Sequence, residues 1–215
     1  MTFCAFGCAL DVLDAPEKMA MKLAYINAVR QGLVASPLAR DPYELLMGEL
    51  EGVPGLVSAG RLEIEEWLTP RPGPGAAAKV DAASYREFLD SGGCEQLAER
   101  VRQYTCDRVL PLDPLLIGVD HSLTGGVLSA LRRGGESDLG LVVLDSHLDA
   151  IPASVRRAAL QGAGDRAGGE DAPDVYSCGS WILGVLERRD VAPENVVVLG
   201  PSELPDDAGG GEEAP

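Results

Sequence analysis

The chain has 215 residues, 46% of them hydrophobic, which is enough for one sizeable α/β core and short for two independent domains. Thirty-four Asp and Glu against 18 Lys and Arg leave a formal charge of -16. That balance repels phosphate backbones and anionic lipid head groups, so neither nucleic acid nor a membrane surface is an expected partner, whereas a metal ion or a small cation is attracted. No run reaches the roughly 18 apolar residues of a membrane span, and the start lacks the basic residues and long apolar stretch of a signal peptide. A soluble, cytoplasmic protein is expected. The five cysteines, an odd number with no CxxC pair, read as reduced thiols, and Cys4 and Cys8 sit in an apolar run as core residues.

In chain order, residues 3–12 (FCAFGCALDV) read as a buried strand with its following loop, and residues 16–34 as a helix with proline near its start. Residues 61–68 (RLEIEEWL) alternate like a strand, and residues 69–78 (TPRPGPGAAA) hold too much Pro and Gly for regular structure, which makes them a surface loop. Helices are expected over 83–90 and 95–109, parted by Ser91-Gly92-Gly93. Residues 115–119 (LLIGV) form a short apolar strand, 124–133 a helix stopped by Gly134-Gly135, and 139–144 (LGLVVL) a second buried strand. This βαβ crossover predicts two parallel strands lying in one sheet. A Gly-rich loop over 162–173, a helix over about 181–189 and a strand at 196–199 (VVVL) follow. The chain therefore reads as one α/β domain with a mainly parallel sheet over residues 1–200 and an acidic, disordered tail over 201–215.

The chain has only two histidines, and each directly follows an apolar strand with carboxylates beside it: Asp120-His121 and Asp145-Ser146-His147-Leu148-Asp149. Ligands bind at the carboxyl ends of parallel strands, so the crossover should bring both clusters to one edge. In an extended segment Asp145, His147 and Asp149 point to one side at steps of roughly 6.5–7 Å, with Ser146 and Leu148 on the other. Mixed carboxylate and imidazole donors favour Mn, Fe, Co, Ni or Zn over calcium, and one carboxylate can bridge two ions about 3.5–4 Å apart. Satisfied core histidines are the alternative, but burying several charges together without a cation is costly.

These residues resemble the ureohydrolases: arginase, agmatinase, formiminoglutamase and their relatives. The first metal motif of that family, approximately GGDHS, is matched by Gly118-Val119-Asp120-His121-Ser122, and the second, DAHxD, by Asp145 to Asp149. The likeness runs on through Tyr176-Ser177-Cys178-Gly179-Ser180 to residues 193–200. It is good over about 115–200 and earlier rests on the strand-helix opening, as in a divergent bacterial branch. It implies a three-layer α/β/α fold and two divalent ions, manganese first and Ni, Fe, Co or Zn next. His121 and Asp149 would then hold one ion, His147 the other, and Asp145 both. It further implies water-driven cleavage of a C–N bond in a cationic guanidino, amidino or formimino compound.

Two departures from the family pattern matter. Cys178 stands where many members place a histidine, and a thiol with an ordinary pKa near 8.5 is a poor copy of an imidazole near 6.5. Asp145 and Cys178 are accordingly the candidate catalytic residues, with buried packing as the alternative for Cys178. The second departure is the family's later strand with its Asp-x-Asp pair, which has no counterpart among residues 1–215; Asp206-Asp207 are adjacent and would face opposite ways if extended. The expectation is an arginase-like fold without its C-terminal strands, one subunit of a split hydrolase completed by a second polypeptide that supplies the Asp-x-Asp strand. The alternative is a non-catalytic binding or regulatory subunit on the same scaffold. A single-zinc deacetylase site is disfavoured because the chain has no His-His pair.

Overall fold

The run FCAFGC offers water no polar side chain, and β1 (Phe3–Cys8) accordingly lies at the centre of a sheet, buried from Cys4 onward. The computed structural model describes residues 1–13, 16–34, 41–150 and 176–202. The expected loop at 162–173 and all but the first two residues of the expected tail lie outside them. On either side of β1 run β2 (Leu56–Arg61) and β3 (Asp113–Gly118), both parallel to it, with Phe3 opposite Leu56 and Asp113. A second pair, β4 (Leu141–Leu144) and β5 (Val196–Leu199), is also parallel.

Helices cover the three-stranded sheet on both faces. On one, α2 (Pro42–Glu49) follows α1 (Pro16–Arg30) and sets Tyr43 and Met47 on Ala5, Ile117 and Leu56. Tyr43 comes so close that a Cβ on Gly7 would lie 2.5 Å from its own, so only glycine fits there. The chain then passes through the short α3 (Pro74–Ala77) and α4 (Ala82–Asp90) to the opposite face. There α5 (Gly93–Tyr104), α6 (Thr124–Arg133) and α7 (Trp181–Glu187) enclose the main core around Phe6, Leu97, Val101, Leu123 and Trp181. The α/β/α layering is thus present. Among the described residues no helix is long and apolar enough to cross a membrane.

Three expectations need correction. The strand expected at 61–68 is displaced to Leu56–Arg61: Gly7 pairs with Arg61 near the end of β1, so residues beyond have no partner strand, and a single 3₁₀ turn, Glu66–Leu68, buries Trp67 and Leu68 instead. The Pro/Gly-rich segment 69–78 is not wholly surface loop, since Pro72 and Ala77 are buried and Pro74–Ala77 is helical. Finally, β3 and β4 do not share a ladder: β3 pairs with β1 and β4 with β5, in separate sheets. A crossover through α6 can carry the chain past a neighbouring strand position, so parallel strands joined by a helix need not be adjacent.

Among the described residues, one face of the β4–β5 pair is apolar and open. Leu141 and Val143 are buried, whereas Val142, Leu144, Val197 and Leu199 are exposed by 64, 77, 47 and 51%. Val142 stands opposite Val197 and Leu144 opposite Leu199, so the four make two aligned rows.

Candidate metal centre

Both histidine motifs lie where strands end, at the same edge of the molecule. After β3 the chain turns through a 3₁₀ turn, His121–Leu123, whose start is capped by Asp120 accepting the Ser122 N–H at 2.8 Å. Burial pushes the Asp120 carboxyl up to about 6, against the lowering effect of its Ser122 hydrogen bonds. The cap fixes His121 at the head of α6. Its Nδ1 lies 2.9 Å from Oδ2 of Asp149 and 3.3 Å from Oδ2 of Asp145. The hydrogen bond to Asp149 is the main reason that the His121 pKa is raised, and burial opposes it.

The segment after β4 is not extended, which corrects the expected same-side spacing. Oδ1 of Asp145 accepts the backbone N–H of His147 at 2.8 Å, a side-chain turn that bends the chain at Ser146. That backbone donor is also the chief cause of the lowered Asp145 pKa. The bend leaves His147 two-thirds exposed with its Nδ1 3.1 Å from Oδ1 of Asp145. Asp149, by contrast, is buried, and its backbone is left-handed with φ 51°. Steps of a strand therefore do not bring the carboxylates together; a tight turn and a left-handed residue do.

The result is a convergent donor set. His121, Asp145 and Asp149 each offer an atom within 4.8 Å of the others, close enough for a single cation to touch all three. Asp145 directs one oxygen at each histidine. The group lines a cavity of about 300 Å³ whose other wall includes Asp11 and Lys18, with Cys178 beside the ligands. The nitrogen and oxygen donors, one imidazole with two carboxylates, suit a first-row divalent ion. A larger groove of about 380 Å³ between α5 and α6 carries arginines and glutamates but neither histidine.

Three residues at the site escape the sequence reading. Asp11 follows the end of β1, as His121 follows β3, and is anchored by the buried Lys22 at 2.9 Å. Lys18 stands on the first turns of α1. Trp181 begins α7 and donates its indole N–H to Oδ2 of Asp149 at 3.1 Å. A carboxylate placed just past an apolar strand was the available signal for Asp11, whereas nothing local distinguishes Trp181 from a core residue.

A parallel α/β scaffold holding His and Asp donors at its strand ends has the layout of a ligand site that could hold a metal ion. A protein-family model described as the Arginase family matches residues 56–208. The chain belongs to the arginase family, a family of hydrolases. Among solved structures, it is similar to a hypothetical agmatinase from Burkholderia thailandensis, with 17% identity over 96% of this chain and 51% of that one and a TM-score of 0.47. It is also similar to proclavaminate amidino hydrolase from Streptomyces clavuligerus, with 17% identity, coverage of 94% and 53%, and a TM-score of 0.45. Arginase from Bacillus subtilis matches with 17% identity, coverage of 96% and 58%, and a TM-score of 0.44. The chain spans between about half and three-fifths of these structures' length. A search of curated proteins gives no match.

Proposed function

We propose that this chain carries half of a two-metal hydrolase site that cleaves a C–N bond of a guanidino, amidino or formimino compound. The observation that carries the reading is Asp145, whose Oδ1 lies 3.1 Å from His147 and whose Oδ2 lies 3.3 Å from His121. A carboxylate with one oxygen beside each imidazole has the form of a bridge between two ions. In this reading His121 and Asp149 hold one divalent ion, His147 the other, and Asp145 both, with manganese the first candidate. Such a pair, when bound, lowers the pKa of water toward neutrality and polarises the carbon under attack. The chain's own contribution is to fix the four ligands, to orient the substrate between them and the Asp11 and Lys18 wall, and to line the cavity with Cys178.

The reading includes a second polypeptide that supplies an Asp-x-Asp strand. Four ligands leave two ions short of donors. Among the described residues, β3 and β4 each pair on one side only, and the aliphatic face of β4 and β5 is open. Unpaired edges and an apolar face are what an added strand requires. The test is to express the chain alone and with a candidate partner encoded beside it, then to measure manganese content and the release of urea or ammonia from guanidino compounds. Activity only in the pair supports the split site; full activity of the isolated chain overturns it.

A further inference from the structure

The first turn of α7 makes three separate contacts with the ligand group. Trp181, only 2% exposed, donates its indole N–H to Asp149, and its ring meets the His121 ring edge-on at 6.2 Å and 88°. The Ile182 N–H reaches the Asp149 carbonyl at 3.4 Å. Just upstream, the Tyr176 hydroxyl donates to the carbonyl of Ser122, the residue after His121. One short segment thus grips both strand-end motifs.

Asp149 needs that grip. A left-handed backbone is unfavourable for a non-glycine residue, although Asp tolerates it better than most. A buried carboxylate without donors is costlier still. Of the contacts that meet these costs, the Trp181 N–H is the only side-chain donor to Asp149, among the hydrogen bonds of described residues, that is not itself a candidate ligand. His121 must give up the proton between its Nδ1 and Asp149 if that atom is to bind a cation. Trp181 faces no such conflict.

We infer that Trp181 is a positioning residue for the metal centre: its indole N–H holds the Asp149 carboxylate toward His121 and Asp145 whether or not a cation is bound. The inference rests on the metal reading given above but not on the reaction or the partner. It makes the chain its own reporter, because Trp181 is one of two tryptophans and Trp67 lies in a separate aromatic group with Tyr85 and Phe88.

The experiment uses the full chain and Mn²⁺ as the probe. In Trp67→Phe protein, added Mn²⁺ should quench the remaining indole emission saturably, and Asp149→Ala should remove the quench. Trp181→Phe keeps a buried ring and loses only the N–H donor with part of the ring; it should raise the Kd for Mn²⁺ about tenfold, the lower end of the effect of such supporting hydrogen bonds. Circular dichroism should stay unchanged. A Trp181→Phe affinity within twofold of the parent overturns the inference. If that variant fails to fold, the quench decides, and its absence from Trp67→Phe protein overturns the inference as well. A chain that passes both tests yet hydrolyses nothing with any partner sinks the catalytic reading alone. A chain that binds no Mn²⁺, alone or with its partner, sinks both.

Discussion

Nδ1 of His121 lies 2.9 Å from Oδ2 of Asp149, although 28 residues separate them and they follow strands of different sheets. The two sheets are therefore held in fixed relation at their carboxyl ends. His121 belongs to the convergent three-residue group, whereas His147 faces only Asp145 and is two-thirds exposed. His121→Ala should accordingly lower the affinity of the isolated chain for Mn²⁺ by tenfold or more, and His147→Ala by less. Isothermal titration of the two variants decides; equal losses would contradict the unequal site.

Asp145 and Ser146 are neighbours with opposite prospects. Asp145→Ala removes the carboxylate that meets both histidines, while the exposed Ser146 side chain makes only 3.5 Å contacts with Asp145 and His147. After dialysis, Asp145→Ala protein should retain less manganese than Ser146→Ala protein. Cys178→Ser should match the parent, since Cys178 lines the cavity without joining the ligand group. Metal analysis that shows a large loss in the Cys178 variant would make that thiol a ligand.

The start of α4 gives a pH-dependent check on the fold away from the site. Asp81 accepts the N–H groups of Ala83 and Ser84, both at 2.9 Å, and its pKa is lowered first by the Ser84 backbone donor. A carboxyl whose folded pKa lies below its unfolded value stabilises the protein above the unfolded pKa, near 3.9, and the contribution is lost as pH falls through the folded value. Asp81→Ala should cost about 1 kcal/mol at pH 7 in urea unfolding, a typical N-cap loss. The difference from the parent should shrink as pH drops below about 4. Asp81→Asn should keep most of the cap and lose the pH dependence.

Gly126 tests the packing that places His121. In α6 a Cβ at this position would stand 2.2 Å from the Ala98 carbonyl oxygen and 3.0 Å from Val101. Alanine gains up to about 1 kcal/mol of helix propensity over glycine, but the obstacle is backbone, and overpacking costs roughly 1–3 kcal/mol. Gly126→Ala should therefore be destabilised in thermal unfolding despite the better helix former. A raised Tm would show that α5 and α6 are less closely apposed.

The parts of this molecule legible in its sequence are those fixed by local pattern. LLIGV and the run ending in VVL are apolar enough to be strands, Gly134-Gly135 marks the end of α6, and the charged residues past each strand announce a site. What escaped reading depends on distant partners. Residues 61–68 alternate like a strand, yet β1 ends before it can pair with residues 63–68. The separation of β4 from β3 is a property of the sheet, since either order satisfies the same crossover. Asp149 adopts its left-handed backbone under contacts from Trp181 and Ile182, more than 30 positions away, and no window around Asp149 contains them.

The aligned aliphatic rows of Val142, Leu144, Val197 and Leu199 bear also on how the protein behaves at the bench. A greasy strip on a body of charge -16 is kept from its copies by long-range repulsion, and dissolved salt shortens the reach of that repulsion to about 10 Å at 0.1 M and about 3 Å at 1 M. Purification at high ionic strength, ordinarily a remedy for stickiness, should here promote clumping, and dilute buffer should keep the preparation monodisperse. Light scattering across a salt series would show the reversal, and Leu144→Lys, which places a charge within the strip, should abolish it.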